Sequence, residues 1–213
     1  MTPDTDGPEA PLNRQVVDAL IDATARLLTE KSRADITVRE IAQAAGVNPA
    51  MINYYFQNKN GLFLVFIDHL IQRYFEAMKQ LESKLEALDP GQDNPTHLII
   101  STVVNVYSEN AAGLRLLSSE IQLNSELKDA YSARHASRTT KAFKHILKRL
   151  VERGIYRADL DINYTAFTLE TLLSQHVING GVMKAAFDLE PDSATISGWI
   201  NHLTTIFERG LRA

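Results

Sequence analysis

The stretch TVREIAQAAGVNPAMINYYFQNK, residues 37–59, decides the reading of this chain. Thr37 stands where a helix N-cap would, and Glu40, three residues on, completes a capping box. Ile41, Ala42 and Ala45 form the buried side of that helix, and Gly46 ends it as a residue free to take positive φ. Asn48 is a good N-cap for the next helix, Pro49 suits its first position, and it ends near Tyr55 or Phe56. Two short helices joined by Gly46-Val47-Asn48 make a helix-turn-helix. Val47 plugs the angle between them, and Ile41, Ile52 and Phe56 hold the pair together. Pro49, Ala50, Met51, Asn53, Tyr54 and Tyr55 are then expected to face outward. Charged residues would be the ordinary choice for a solvated face. Small residues, Asn and Tyr instead suit entry into a DNA major groove, where Asn reads adenine and Tyr hydroxyls meet phosphates.

Outward from this motif the chain reads as helix throughout. Residues 1–11, with Pro3, Pro8, Pro11, Gly7 and three acids, read as a disordered tail. Val16, Val17, Leu20, Ile21, Leu27 and Leu28 recur at helical spacing over 12–31. A long helix is expected from Asn58–Lys59 to about Leu88, roughly 45 Å of rod. Its Leu62–Leu85 apolar stripe is core, and Leu64 and Val65 widen it enough for contact with both domains. The turn-rich 89–95 segment, with Pro90, Gly91 and Pro95, marks the domain boundary. Further helices are expected at about 95–110, 112–121, 124–153, 161–187 and 191–211, with Gly154 closing one, Asp161 capping another and Pro191 in the first turn of the last. No segment shows sustained β-alternation, so the fold class is all-α. The division is 12–58 for DNA binding, 59–88 for the connecting helix, and 89–213 for ligand binding and dimerisation.

Composition narrows the function. The chain has 213 residues, 22 Lys+Arg against 26 Asp+Glu, and no Cys. Disulfides, thiol catalysis and cysteine-ligated zinc are excluded. The longest apolar stretch, Leu98–Tyr107, is too short to span a bilayer. Asp4, Asp6 and Glu9 precede the first basic residue, Arg14, unlike a signal peptide, and the expected location is the cytoplasm. Net charge is −4, so any nucleic-acid contact must come from a local surface. The six His residues (69, 97, 135, 145, 176 and 202) never take zinc-ligand spacing, and no phosphate loop or nucleophile elbow appears. Neither metal nor cofactor is expected, and no catalytic set is recognisable. The basic residues from Arg134 to Arg153 recur at three- and four-residue steps and read as a solvated helix face.

Thr37 to Ala42, Ala45 to Asn48, Ile52 to Lys59 and Leu62-Phe63 together resemble the TetR (tetracycline-repressor) family of regulators. The resemblance covers about the first 75 residues. It implies a homodimeric, ligand-responsive transcriptional regulator, most often a repressor, acting on a palindromic double-stranded DNA operator. By the same resemblance Thr37 and its helix N-terminus meet a phosphate and Arg39 reaches a guanine. Asn48, Pro49, Ala50 and Met51 lead the recognition helix, Tyr54 and Tyr55 grip the backbone, and Lys59 binds a phosphate. Asn53 departs from the family's more usual Tyr and is assigned to a base. Residues 12–60 hold six basic and five acidic side chains, so non-specific affinity is expected to be modest and a dimer necessary.

The family reading places the dimer interface on the last two helices, where Phe167, Leu172, Leu173, His176, Val177 and Val182, then Ile196, Trp199, Ile200, Leu203, Ile206 and Phe207, exceed a single buried stripe. These positions also suit an ordinary monomer core. A pocket between helices is expected to take a largely apolar small molecule, with Tyr107, Phe143, His176 and Asn179 as candidate lining. The competing reading is a small-molecule-binding helical protein without sequence-specific DNA recognition; the outward Tyr54-Tyr55 pair and Lys59 argue against it.

Overall fold

Capping chemistry sets most of the helix boundaries. The computed structural model describes residues 9–89, 93–123, 128–129, 131–132, 137–190 and 192–212. Among these it holds ten helices: α1 (Glu9–Glu30), α2 (Val38–Ala45), α3 (Ala50–Phe56), α4 (Lys59–Ala87), α5 (Pro95–Glu109), α6 (Ala111–Leu123), α7 (Ser137–Glu152), α8 (Ile162–Ile178), α9 (Gly180–Phe187) and α10 (Ser193–Leu211). The only β feature among the described residues is an isolated bridge between Tyr156 and Arg212. No helix of the described residues is long and apolar enough to cross a membrane.

The capping box at α2 forms as expected: the Thr37 N–H donates to Glu40 Oε2 at 2.8 Å, and the Glu40 N–H donates to Thr37 Oγ1 at 3.2 Å. Gly46 takes φ 69°, and the Val47 and Gly46 N–H groups return to the Ala42 and Gln43 carbonyls, a Schellman closure. Gly154 closes α7 in the same way, with φ 69° and Ile155 N–H on the Leu150 carbonyl. Asn94 caps α5 and Asp161 caps α8.

Three boundaries differ from the sequence reading. Glu9, Ala10 and Pro11 belong to α1 rather than to a tail, because a proline in the first helical turn forfeits no hydrogen bond. The expected 161–187 helix breaks at Asn179, whose φ −112° and ψ 25° leave the helical region ahead of Gly180-Gly181, so α8 and α9 are separate. The last helix starts at Ser193, because Asp192 accepts from the Thr195 N–H at 2.8 Å and caps it there. Pro191 and much of the 124–136 stretch lie outside the described residues, as do residues 1–8 of the expected tail.

Two apolar cores form, and α4 serves both. Leu20, Ile36, Ile41, Ile52, Leu62, Phe63 and Phe66 are buried together in the first. Tyr74, Met78, Leu81 and Leu85 join α5, α7, α8 and α10 in the second. The 29 residues of α4 span about 44 Å, long enough to run through both. One residue crosses the expected division: Leu116, on α6, is buried in the first core. The basic face of α7 is also not merely solvated, since His145 and Arg149 reach Glu82 and Glu86 of α4 at 3.0 and 3.5 Å.

Gly61 has a structural reason invisible in the sequence pattern. A Cβ there would lie 2.0 Å from the Phe56 carbonyl oxygen, so α4 leaves α3 by a turn that only glycine permits. At Gly46 a Cβ would meet nothing within 4 Å, and only the positive φ resists substitution. Gly46→Ala is therefore expected to lower stability by roughly 1–2 kcal/mol, the cost of left-handed backbone, and Gly61→Ala by more because backbone must move. Equilibrium urea unfolding of the two variants checks the order.

Candidate nucleic-acid interface and effector pocket

The helix-turn-helix is α2, the Gly46-Val47-Asn48 turn and α3. Asn48 Oδ1 accepts from the Ala50 N–H at 2.8 Å, so it acts as the cap, while Pro49 already holds helical angles. Ile52 and Phe56 anchor α3 in the first core. Asn48, Pro49, Ala50, Asn53 and Tyr54 are exposed, Tyr54 at 75%. Thr37 and Arg39 are exposed on α2's side of the same motif. Two expected outward residues are not free: Met51 and Tyr55 are half-buried and pack on the core. Helical geometry explains this, since 51, 52, 55 and 56 share one face at three- and four-residue steps. Tyr55 presses edge-on to Tyr54, with centroids 4.9 Å apart and planes at 86°, and so positions the exposed ring.

Lys59 departs furthest from expectation. Its ammonium donates to the Arg33 carbonyl at 2.8 Å and to the Ile36 carbonyl, and it lies 5.8 Å from the Phe63 ring centroid. Arg33 joins the same clamp, with Nη2 donating to Asn60 Oδ1 at 2.5 Å and its guanidinium over Phe63. The two cations tie the start of α4 to the loop between α1 and α2. The carbonyl partners of Lys59 are non-local, so nothing in the local spacing could show them. Glu40 has a further partner besides its box: Lys31 Nζ at 2.6 Å. The Lys31 hydrogen bond, then those from Thr37, hold the Glu40 carboxyl down at about 2.

A cleft of about 190 Å³ lies between α4, α5, α6, α7 and α8. Tyr74, Tyr107, Tyr131, Thr139 and Glu170 are among its walls. The Tyr74 and Tyr107 rings lie nearly parallel, with an interplanar angle of 13° and centroids 6.2 Å apart. The Tyr74 hydroxyl donates to Glu170 Oε1 at 3.4 Å. Burial pushes the Glu170 carboxyl above its ordinary range, against the Tyr74 hydrogen bond and the charge of Lys144. Burial likewise raises the Tyr74 and Tyr107 hydroxyls. A larger cleft of about 590 Å³ separates α1 from α4 and α6, but Asp18, Asp22, Arg26 and Arg73 line it, and it has the mixed charge of a solvated seam between domains.

Of the four expected lining residues, only Tyr107 reaches the tyrosine-lined cleft. Phe143 is wholly buried core. Asn179 is exposed and terminates α8, with Nδ2 donating to Gln175 Oε1. His176 lines a different cleft beside Trp199. Its Nδ1 lies 2.8 Å from the Leu173 carbonyl, which can only accept, so Nδ1 carries the proton and Nε2 accepts from the Ser108 hydroxyl at 2.9 Å. Burial lowers its basicity, which favours this neutral form. Sequence reasoning missed Tyr74, Tyr131 and Glu170, which sit on three different segments. Among the described residues no group of three or more His, Asp and Glu could hold a metal ion.

An apolar surface remains uncovered on the last helices. Tyr164 and Phe167 of α8 and Ile206 of α10 are exposed at 75%, 69% and 52%. Val182 and Phe187 of α9 are exposed as well.

Residues 20–65 match the family model for bacterial regulatory proteins, tetR family. The chain is 36% identical over 80 residues to the HTH-type transcriptional regulator BetI of Yersinia pestis, covering 38% of this chain and 39% of that protein. Against BetI of Serratia proteamaculans the identity is 41% over 69 residues, 32% of this chain and 33% of that one. The chain thus matches under two fifths of the length of these curated relatives. Among solved structures, a TetR transcription regulator from Haloarcula marismortui superposes with TM-score 0.68 at 18% identity, covering 93% of this chain and 98% of that one. A transcriptional regulator from Saccharomonospora viridis, in complex with choline, superposes with TM-score 0.71 at 16% identity, over 96% and 99%. These likenesses show that the shared fold extends well beyond the N-terminal residues the family model matches.

Glu40's folded carboxyl titrates near 2 against an ordinary 4.5. Its contribution to α2 is therefore fully present above about pH 4.5 and is lost as pH falls through about 2. Amide exchange at Thr37 and Glu40 should rise over that window in wild type and be insensitive to it in Glu40→Gln. Lys59→Met should lower the unfolding midpoint by leaving the Ile36 and Arg33 carbonyls short of a charged donor, a loss of roughly 1–3 kcal/mol. Urea titration measures it.

Proposed function

We propose that this chain, a member of the tetR family of bacterial regulatory proteins, is a homodimeric cytoplasmic repressor released from a palindromic operator by a small molecule. The observation that carries this reading is the exposed face of α3. Asn48, Ala50, Asn53 and Tyr54 stand outward on a helix whose Ile52 and Phe56 are locked in a core, so the face is rigid, uncharged and of groove-entering type. Arg39 and Asn53 supply base contacts. Thr37 and Tyr54 hold phosphates, with Tyr55 bracing Tyr54. Lys59 acts chiefly by fixing α4 against the DNA-binding domain.

The exposed Tyr164 and Phe167 on α8 and Ile206 on α10 support dimerisation through these helices, since large apolar side chains left in water mark interaction sites. A two-fold dimer sets two recognition helices about one DNA turn apart, roughly 34–36 Å, or a multiple of that. Effector binding works by differential affinity: the ligand favours the arrangement in which that spacing is wrong. The choline complex of the Saccharomonospora viridis neighbour supports a small effector held within this fold.

Selection of genomic DNA fragments by the purified protein, at two salt concentrations, tests the reading. A palindrome that stays enriched at the higher salt is expected; fading without enrichment overturns it. Arg39→Ala and Asn53→Ala should each relax preference at particular bases by about 1–3 kcal/mol, whereas Tyr54→Phe should weaken all sequences alike. A uniform loss for Arg39→Ala removes its base-reading role. Phe167→Asp with Ile206→Asp should give a monomer by light scattering and abolish operator binding.

A further inference from the structure

The seam between α1 and the α4–α6 side is not evenly charged. Its cleft of about 590 Å³ falls within the roughly 300–1,000 Å³ typical of small-molecule sites, which gather at domain interfaces. The floor is apolar, where Ile21 and Ala25 of α1 face Phe66 and Leu70 of α4. The rim is ionic, open to water, and sorted by sign. From α1 come Asp18 and Asp22, one turn apart on the same face. From the opposite bank come Arg73 of α4 and Arg115 of α6, with Glu109 at the end of α5 offsetting part of their charge.

These groups do not satisfy one another. Among the described residues, no hydrogen bond or ion pair engages Asp18, Asp22 or Arg115. Arg73 reaches Asn110 Oδ1 at 3.3 Å, a long bond that leaves most of its five N–H donors unused. The two carboxylates repel each other at this spacing, and a cation between them relieves that repulsion.

We infer that this cleft is a second small-molecule site and that it takes a zwitterion, a primary ammonium and a carboxylate joined by an apolar spacer. The ammonium donates to Asp18 and Asp22. The carboxylate accepts from Arg115 and Arg73, whose planar forks match it. The spacer lies on Ile21, Phe66 and Leu70. A simple anion pairs with one bank only and is repelled by the other, and so is a simple cation. The tyrosine-lined cleft is separate: the two share Leu70, Asn110 and Gly113 as a partition, and a Cβ at Gly113 would lie 2.0 Å from a Leu70 methyl, so the partition is closely packed.

Two contacts carry occupancy toward the helix-turn-helix. Arg115 directly precedes Leu116, which is buried in the first core. Arg26, also in the cleft wall, donates from Nη2 to the Ala44 carbonyl in the last turn of α2 at 2.9 Å. A zwitterion that joins α1 to α6 therefore favours one placement of α1 and α2 against α6, and acts through that differential affinity. The effect on DNA rests on the proposed regulatory function; the binding chemistry stands on the cleft.

Isothermal titration of the purified protein at low ionic strength tests the assignment with β-alanine, γ-aminobutyrate and ε-aminocaproate against hexylamine and hexanoate. At least one amino acid is expected to bind about fivefold or more tighter than either single-charge probe, and to weaken as salt rises. Asp18→Asn with Asp22→Asn should reduce that ligand to the level of hexanoate, and Arg115→Gln to the level of hexylamine. All three side chains are exposed, so urea midpoints of these variants should match wild type and separate loss of ligand from loss of fold. Equal affinity for the amino acids and the single-charge probes, undiminished binding in either variant, or no binding at millimolar concentration overturns the inference. Fluorescence anisotropy with a selected operator should show a change in DNA affinity on adding the zwitterion, absent from the double Asn variant; no change overturns the coupling. Zwitterion binding by a protein that selects no DNA sequence overturns the regulatory reading and leaves the site assignment standing.

Discussion

One continuous helix holds this molecule together. The Leu62, Phe63 and Phe66 side chains of α4 lie in the first core, and Tyr74, Met78, Leu81 and Leu85 of the same rod lie in the second. A helix cannot bend sharply without a proline, a bulge or an inserted group, so displacement at one end is carried to the other. The junction with α3 is as tight as backbone allows, since Gly61 abuts the Phe56 carbonyl. Lys59 and Arg33 add a cationic clamp at the same end, drawing the α1–α2 loop onto the helix start. α3 is therefore joined to α4 by a short, closely packed turn.

A second route runs beside it. α6 packs against α1 as well as against α4, and its Leu116 is part of the first core. Burying such a leucine contributes about 1.5–3 kcal/mol, and none of it is retained if α6 withdraws. The tyrosine-lined cavity touches both routes through Leu70 and Gly113. Packed interiors resist gradual deformation, so a small change there favours one arrangement or the other.

Local chemistry was legible wherever a residue acts on its own neighbours in the chain. The Thr37–Glu40 box, the Gly46 and Gly154 closures, and the Asn48 and Asp161 caps all read correctly, because their partners lie within four or five residues. Misreadings arose where the competing local signal was close. Pro11 looked like tail punctuation but is tolerated in a first turn, and Asn179 divides what apolar content alone presents as one helix. The partners of Lys59 were not legible for a different reason: its carbonyl acceptors lie 26 and 23 residues back in the chain.

By itself the sequence determined the all-α class, the helix-turn-helix and its outward Asn48, Ala50, Asn53 and Tyr54. Helical periodicity and capping are properties of short windows, and a face with a buried opposite side must point to water or to a partner. Only the tertiary structure decided which polar groups meet. Tyr74, Tyr107, Tyr131 and Glu170 are far apart in the chain and individually unremarkable on their helices, so Phe143, His176 and Asn179 looked equally suitable for a pocket. A cavity is the space left between elements, set by how five helices pack against one another. No single window of sequence encodes that arrangement, because each helix's apolar stripe specifies that it is buried but not what it is buried against.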